Sequence, residues 1–388
     1  MSEFPTSASV VIIGGGVMGT STAFHLAEAG VTDVVLIERG QLGAGSTTKA
    51  AGGIRAQFSD AANIAISLRS IDLFEQFPSR PGQEIDLRKV GYLFLLTSPE
   101  SVAVFERNVA LQNSLGVPSR MISAEEAAKL NPLIVTDDVL AASFSLSDGL
   151  ATPDSVVSGY ARGARSHGAR LVIETEVTGV EKVGDRIVGV TTSKGRIATE
   201  TVICTAGAWS RSVGEMVGFT LDVSPLRREI LFTGPIPGMS AEALHGLPMT
   251  IDFGSTFYFH GEGPGVLMGM SDQTETPGFK MERSRDFEAR IAEQIERRAP
   301  SLLDAEVRGG WAGLYEVTPD HNSLIGEAGT VSRFLYCAGF SGHGFQQGPV
   351  AGEIMRDLFL GDTPTIDVSG LSADRLRAGE ERREFNIV

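Results

Sequence analysis

Apolar positions along the chain change period several times, and each change marks an element. Val10, Val11, Ile12 and Ile13 form an uninterrupted apolar run, the pattern of a short strand buried on both faces. Residues 20–29 follow with Ala23, Leu26 and Ala27 on one helical face and Gly30 as a stop signal. Val34, Val35, Leu36 and Ile37 read as a second buried strand. From 40 to 55 periodicity disappears among glycines and hydroxyl side chains, which predicts a loop following a ligand surface. Helical spacing returns over 60–77 through Ile64, Leu68, Ile71 and Phe74. Residues 86–97 read as one long strand or a strand pair, and 99–115 and 123–130 as helices.

Beyond residue 150 the theme resumes. A helix is expected over 152–167, then strands at 171–173 and 176–180. Hairpin-like strands follow at 186–192 and 196–199, set off by Gly184-Asp185 and Lys194-Gly195. Residues 201–209 give a buried strand that runs out into small residues, a sign of close approach to a ligand. Between 223 and 308, alternating and aromatic segments predict an antiparallel sheet with a helix at 285–298. Residues 334–339 form another buried strand, 341–345 a glycine-rich turn and 347–359 a helix, and the charged tail after Leu371 reads as mobile. This order implies an α/β protein. A Rossmann-like dinucleotide domain is expected from 1–85, 147–222 and 309–388, with an α+β substrate domain of mixed or antiparallel sheet from 86–146 and 223–308.

With 388 residues the chain can bury a large core without disulfide or metal staples. Its net charge of −15, with no basic block, argues against nucleic acid and anionic membranes as partners. Cys204 and Cys337 sit in apolar runs and read as small buried hydrophobes. No apolar run is long enough for a membrane span. Glu3 stands without a Lys or Arg before the first strand, unlike a secretory or transit peptide, so a cytoplasmic protein is expected. No metal-ligand spacing or nucleophile-elbow pattern occurs, so no metal is expected.

Chemistry concentrates at the first turn. Gly14, Gly16 and Gly19 stand at G-x-G-x-x-G spacing between a strand and a helix, with Glu38 closing the second strand. The glycines suit a tight turn, backbone approach to a pyrophosphate at a helix N-terminus, and close helix packing. Glu38 is placed to accept from ribose hydroxyls and to repel a 2′-phosphate. The motif alone leaves FAD and NAD open.

Four further stretches, read with this one, carry a family resemblance: 45–58 (Gly-Ser-Thr-Thr through Gly-Gly-Ile-Arg-Ala-Gln-Phe), 205–210, 339–345, and Trp311-Ala312-Gly313-Leu314-Tyr315-Glu316-Val317-Thr318-Pro319-Asp320. Together they resemble the D-amino-acid oxidase and sarcosine oxidase family of FAD-dependent amine oxidoreductases, in particular its sarcosine oxidase β-subunit and L-proline dehydrogenase β-subunit types. The resemblance implies FAD. It places the ADP half on Gly14, Gly16, Val17, Met18 and Gly19 with Glu38 and Arg39, and the pyrophosphate near Ser46, Thr47 and Thr48. Val177 would contact adenine through its backbone, while Gly52, Gly53, Ala206, Gly207, Trp209 and Gly313 would adjoin the rest of the cofactor. Gly342, His343, Gly344, Phe345 and Gln346 would lie along the pyrimidine edge, where a helix N-terminus favours developing negative charge. Arg55 matches the carboxylate-binding arginine, a guanidinium that can grip a carboxylate through two parallel hydrogen bonds. Tyr258 and Tyr315 match pocket tyrosines, and His343 and Gln346 adjoin the reacting centre.

Three positions depart from that pattern. Gly313 stands where covalently flavinylated members carry cysteine, implying noncovalent FAD. Leu267 stands where the oxidases carry an oxygen-activating lysine, and Gln346 replaces a second carboxylate-binding lysine. The reaction implied is oxidation of the C–N bond of a sarcosine-, N-methyl amino acid- or proline-like substrate to an imine, by hydride transfer to flavin N5, with oxygen or an electron carrier as acceptor. The alternatives are a D-amino-acid dehydrogenase acting on primary amines, a non-catalytic flavin-binding assembly factor, and a subunit of a larger oxidoreductase complex.

Overall fold

The apolar runs assemble into a single sheet. In the computed structural model, which describes residues 4–387, Val10–Ile13 lies between Val34–Ile37 and Val202–Cys204 and pairs parallel with both. Arg170–Val172 extends the sheet on one flank and Phe334–Ala338 on the other, also in parallel, and Leu324–Glu327 adds an antiparallel edge. Successive side chains go to opposite cores: Val10, Ile12, Val34 and Leu36 to one, Val11, Ile13, Val35 and Ile37 to the other. That two-sided burial is why these strands lack the alternation of a half-exposed sheet. One face is covered by the helices Val17–Glu28, Pro153–Ser166 and Gly344–Leu360, the first packed against the other two. On the other face lies a three-stranded sheet of Val177–Val183, Arg186–Thr192 and Gly195–Ile197.

A second, eight-stranded sheet stands beside the first. Its order is Val307–Val317, Ser224–Thr233, Gly265–Met270, Tyr258–Glu262, Met249–Asp252, Tyr92–Leu96, Ala141–Ser145 and Arg120–Ile122. All pairs are antiparallel except Met249–Asp252 with Tyr92–Leu96. The helix Phe287–Arg298 packs Phe287, Ile291 and Ile295 into its outer core. The strand Val307–Val317 pairs along Ser224–Thr233, so the expected domain boundary between 308 and 309 falls inside it.

Several expectations are corrected. The opening helix begins at Val17, not residue 20, because the Thr47 hydroxyl oxygen, distant in sequence, accepts from the Val17 amide at 3.1 Å and caps it. The last long helix likewise begins at Gly344. The 40–55 segment is not all loop: Thr47–Lys49 is a 3₁₀ turn, and Gly53–Ile54 pairs with Gly149–Leu150. Residues 86–97 yield one strand, Tyr92–Leu96.

The largest correction concerns the tail. Asp374–Ala378 is a helix, and Arg375 grips buried Asp320 through two hydrogen bonds of 2.8 and 2.9 Å. Glu384 and Asn386 are fully buried. The Glu384 carboxylate accepts from the Ser59 amide and hydroxyl, the Asp60 amide and Asn63 Nδ2. Hydrophobic patterning misses this strap because its anchors are polar. Glu3 lies outside the described residues. Among those described, no helix is long and apolar enough to cross a membrane.

Candidate active site

One cavity runs from the carboxyl ends of the parallel strands to the inner face of the eight-stranded sheet. Open α/β sheets bind ligands at this edge. Its far end is lined by Gly14, Gly16, Val17, Met18, Glu38 and Arg39, with Val177 beyond. The middle brings in Ser46, Thr47, Gly52, Gly53, Ala206 and Gly207, and the Trp209 ring is sandwiched between Arg39 at 3.8 Å and Phe279 at 5.2 Å. Near the sheet are Arg55, Tyr258, Gly313 and Tyr315, and from the last helix turn Gly342, His343, Gly344, Phe345 and Gln346. Of the residues singled out from sequence, Gly19 and Thr48 stand behind the lining. Thr48 donates its hydroxyl to the Gly43 carbonyl at 3.1 Å.

The far end fits the ADP half of FAD. A Cβ on Gly19 would lie 1.9 Å from the Gly14 carbonyl oxygen, and one on Gly14 2.4 Å from that of Thr205. Helix and strands therefore meet at backbone contact, which aims the first helical turn at the cavity. Glu38 is pinned by the Gly15 amide at 2.7 Å and the Gly40 amide at 2.8 Å, one on each oxygen. Each oxygen keeps a further lone pair for a ribose hydroxyl. Thr47, its oxygen capping Val17, keeps its proton to donate, whereas Ser46 gives its proton to the Leu314 carbonyl at 2.7 Å.

At the sheet end, alternation along the strands selects what faces inward. Arg228 and Ile230 of one strand, Gly313 and Tyr315 of its neighbour, and Tyr258 across the sheet all line the cavity, with Met249 and Ile251 as an apolar wall. Burial raises the pKa of both tyrosines and keeps them neutral donors. Arg55 is 6% exposed, with Phe58 4.0 Å from its guanidinium. Its two terminal nitrogens donate to the carbonyls of Gln57 and Asn386. Gln346 accepts from the Arg55 amide at 2.9 Å, so its side chain fixes backbone. Burial pushes the His343 pKa down to about 3, with Arg55 adding to the shift, and its buried ring nitrogens have no hydrogen-bond partner among the described residues. Leu267 is buried and does not line the cavity.

Sequence reading missed four residues here. Lys49, Arg228 and Glu316 line the cavity. Asp148, fully buried, accepts from the Ala56 amide and Gln57 Nε2 at 3.0 Å each and so holds the segment that carries Arg55. Only for Arg228 was a signal available: in an Arg227-Arg228 pair on a strand, one residue must face inward.

Glu316 offers a pH test. Burial raises its pKa to about 7 from an ordinary 4.5, although it accepts from the Gly339 amide at 2.9 Å. A raised folded-state pKa means the native state binds the proton more tightly. Its stabilisation is then complete below about pH 4.5 and lost as pH rises through 7. The apoprotein should therefore lose on the order of 3 kcal/mol more between pH 4.5 and 8 than Glu316→Gln does. Urea unfolding of both proteins across that range reads the difference, and parallel curves would remove Glu316 as the source.

Comparison with known proteins gives the family. A family model described as DAO, FAD dependent oxidoreductase, matches residues 9–358. The chain is 30% identical over 390 residues to mitochondrial dimethylglycine dehydrogenase of Rattus norvegicus, covering 96% of this chain and 45% of that protein. It thus spans about half the length of those dehydrogenases. It is 31% identical over 434 residues to FAD-dependent oxidoreductase domain-containing protein 1 of Bos taurus, covering 99% of this chain and 88% of the relative. The crystal structure of L-proline dehydrogenase from P. horikoshii superposes with a TM-score of 0.91 at 33% identity, covering 98% of this chain and all of that one. A cofactor bed on the parallel sheet, facing an aromatic and cationic pocket on the second sheet, is thus found in a chain that belongs to the DAO family of FAD-dependent oxidoreductases.

Proposed function

We propose that this protein oxidises the C–N bond of a secondary or N-methylated amino acid, of dimethylglycine, sarcosine or proline type, to an imine, or from a tertiary amine to an iminium, that water then hydrolyses. The observation that carries the reading is the juxtaposition of two kinds of wall in one cavity. Tyrosines and apolar side chains accept a small alkylated amine, and Arg55, Arg228 and Lys49 give the same space a positive sign suited to a carboxylate. The likeness to dimethylglycine dehydrogenase and L-proline dehydrogenase supports it.

When bound, FAD supplies an acceptor for the hydride on the carbon next to nitrogen. It would be held noncovalently by the glycine turn, Glu38, Thr47 and the amides of the turn that begins at Gly342. The chain's own part is to bind and orient. The positive wall draws in the zwitterion and holds its acidic end, the neutral tyrosines pack the alkyl groups, and the apolar wall of Met249 and Ile251 excludes water from the amine. Neutral His343 shapes the floor without adding charge. In this reading residues 1–85, 147–222 and 309–388 mainly serve the cofactor, and 86–146 and 223–308 the substrate, with Lys49, Arg55 and the strand Val307–Val317 reaching from the first group into the substrate pocket. We place the enzyme in the cytoplasm, which fractionation of expressing cells would check.

Anaerobic titration of the holoprotein tests the reaction. Sarcosine, dimethylglycine or L-proline should bleach the bound flavin's absorbance, and D-alanine should not. Admitting air then reads the acceptor: recovery within seconds marks oxygen, and slow recovery an electron carrier. A flavin that no amine bleaches would remove the reading in favour of an assembly factor.

A further inference from the structure

We infer that Arg228 is the residue that directly binds the substrate carboxylate, with Arg55 held as a fixed positive charge behind it. The inference rests on the amino-acid reading above and assigns the acidic end of that site. Adjacent arginines on the strand Ser224–Thr233 meet opposite fates. Arg227 faces away from the cavity and pairs with Glu275 at 2.6 Å. Arg228 faces the cavity, and among the described residues no carboxylate lies within 4.0 Å of it. Its Nη1 donates to the Arg227 carbonyl at 3.0 Å, its Nε is buried with no hydrogen-bond partner among the described residues, and its guanidinium lies 5.1 Å from the Tyr315 ring centroid.

A largely buried cation with spare donors and no counter-ion in contact among the described residues is costly unless an anion joins it. The cavity is where that anion can enter. The strand position opposite Arg228 is Gly313, and what borders the space over that glycine is another cation, Lys49, whose Cβ lies 3.1 Å from where a Gly313 Cβ would stand. Arg55 competes poorly for the same role, because one proton of each terminal nitrogen is already given to a carbonyl. Both terminal nitrogens of Arg55 are thus turned toward backbone, whereas in Arg228 only Nη1 is engaged and both Nη2 protons stay available for the parallel hydrogen bonds a carboxylate prefers.

The test separates the two ends of the substrate. Cyclopentanecarboxylate keeps proline's ring and carboxylate without nitrogen, and pyrrolidine keeps the ring and nitrogen without the carboxylate. Both are titrated into the FAD-loaded protein by calorimetry. Arg228→Gln should weaken cyclopentanecarboxylate about 100-fold while leaving pyrrolidine affinity and FAD content unchanged, the loss expected when one partner of a desolvated charge pair is removed. Arg228→Lys should recover part of that loss, since it restores charge without the fork. Wild-type protein that does not bind cyclopentanecarboxylate, or an Arg228→Gln variant that binds it as tightly as wild type, overturns the inference. Equal loss of both ligands in Arg228→Gln and Arg228→Lys also overturns it, marking a structural arginine. Should no amine bleach the flavin while cyclopentanecarboxylate binding still depends on Arg228, the turnover reading falls and the carboxylate site stands.

Discussion

Gly19→Ala is expected to yield a protein that purifies without FAD. The added methyl would lie 1.9 Å from the Gly14 carbonyl oxygen and 2.8 Å from the Thr205 hydroxyl. Neither can withdraw, because Gly14 is held by the Ile37 carbonyl and Thr205 donates to the carbonyls of Ile13 and Gly14. The helix Val17–Glu28 must move off the sheet, at a cost of about 3 kcal/mol or more for overpacking against rigid backbone. That movement carries away the amides of its first turn and the Thr47 cap. FAD affinity should fall at least about 100-fold on the same scale of cost. The ratio of visible to ultraviolet absorbance after gel filtration, followed by titration with added FAD, measures it. An alanine variant that stays yellow through purification would show that the glycine contact does not set the bed.

Glu384→Ala carries the second large effect. The carboxylate accepts from the Ser59 amide at 3.0 Å, the Asp60 amide at 3.1 Å and Asn63 Nδ2 at 3.0 Å, as well as from the Ser59 hydroxyl and the Asn386 amide. Removing it strands buried donors, with an expected cost of about 3–5 kcal/mol in urea unfolding. Glu384→Gln, which keeps part of the hydrogen bonding, should lose less. The tail should at the same time become open to limited proteolysis in the variant and stay closed in the wild type. A Glu384→Ala protein within about 1 kcal/mol of wild type would mean that the strap adds nothing to the fold.

What could be read in advance follows from which interactions leave a trace in side-chain chemistry. Val10–Ile13 and Val34–Ile37 were legible because two-sided burial forces continuous apolar runs, and the cofactor turn because backbone contact forces glycine. The start of the first helix was not, since its cap is Thr47, remote in sequence. Arg55 was legible as a residue, but not the use made of its donors, because the acceptors are backbone carbonyls of Gln57 and Asn386 that any sequence carries. Arg228 could have been singled out from its doublet. Asp148 could not: its work is to satisfy the Ala56 amide and the Gln57 side chain across a gap of chain. The tail was misjudged because charge was taken for solvation, whereas Arg375 and Glu384 spend theirs on buried partners.

The strand order has a consequence for biosynthesis. Val10–Ile13 leaves the ribosome early, yet the sheet it centres needs Val202–Cys204 and then Phe334–Ala338. At ~5–20 residues per second, on the order of 20–60 s separate the first strand from the last. Through that interval the glycine turn exists without the helix Gly344–Leu360, whose start closes the cavity from the other side. Cofactor capture is therefore expected only after the helix Gly344–Leu360 has joined the sheet, so the glycine turn is made long before it can close on FAD.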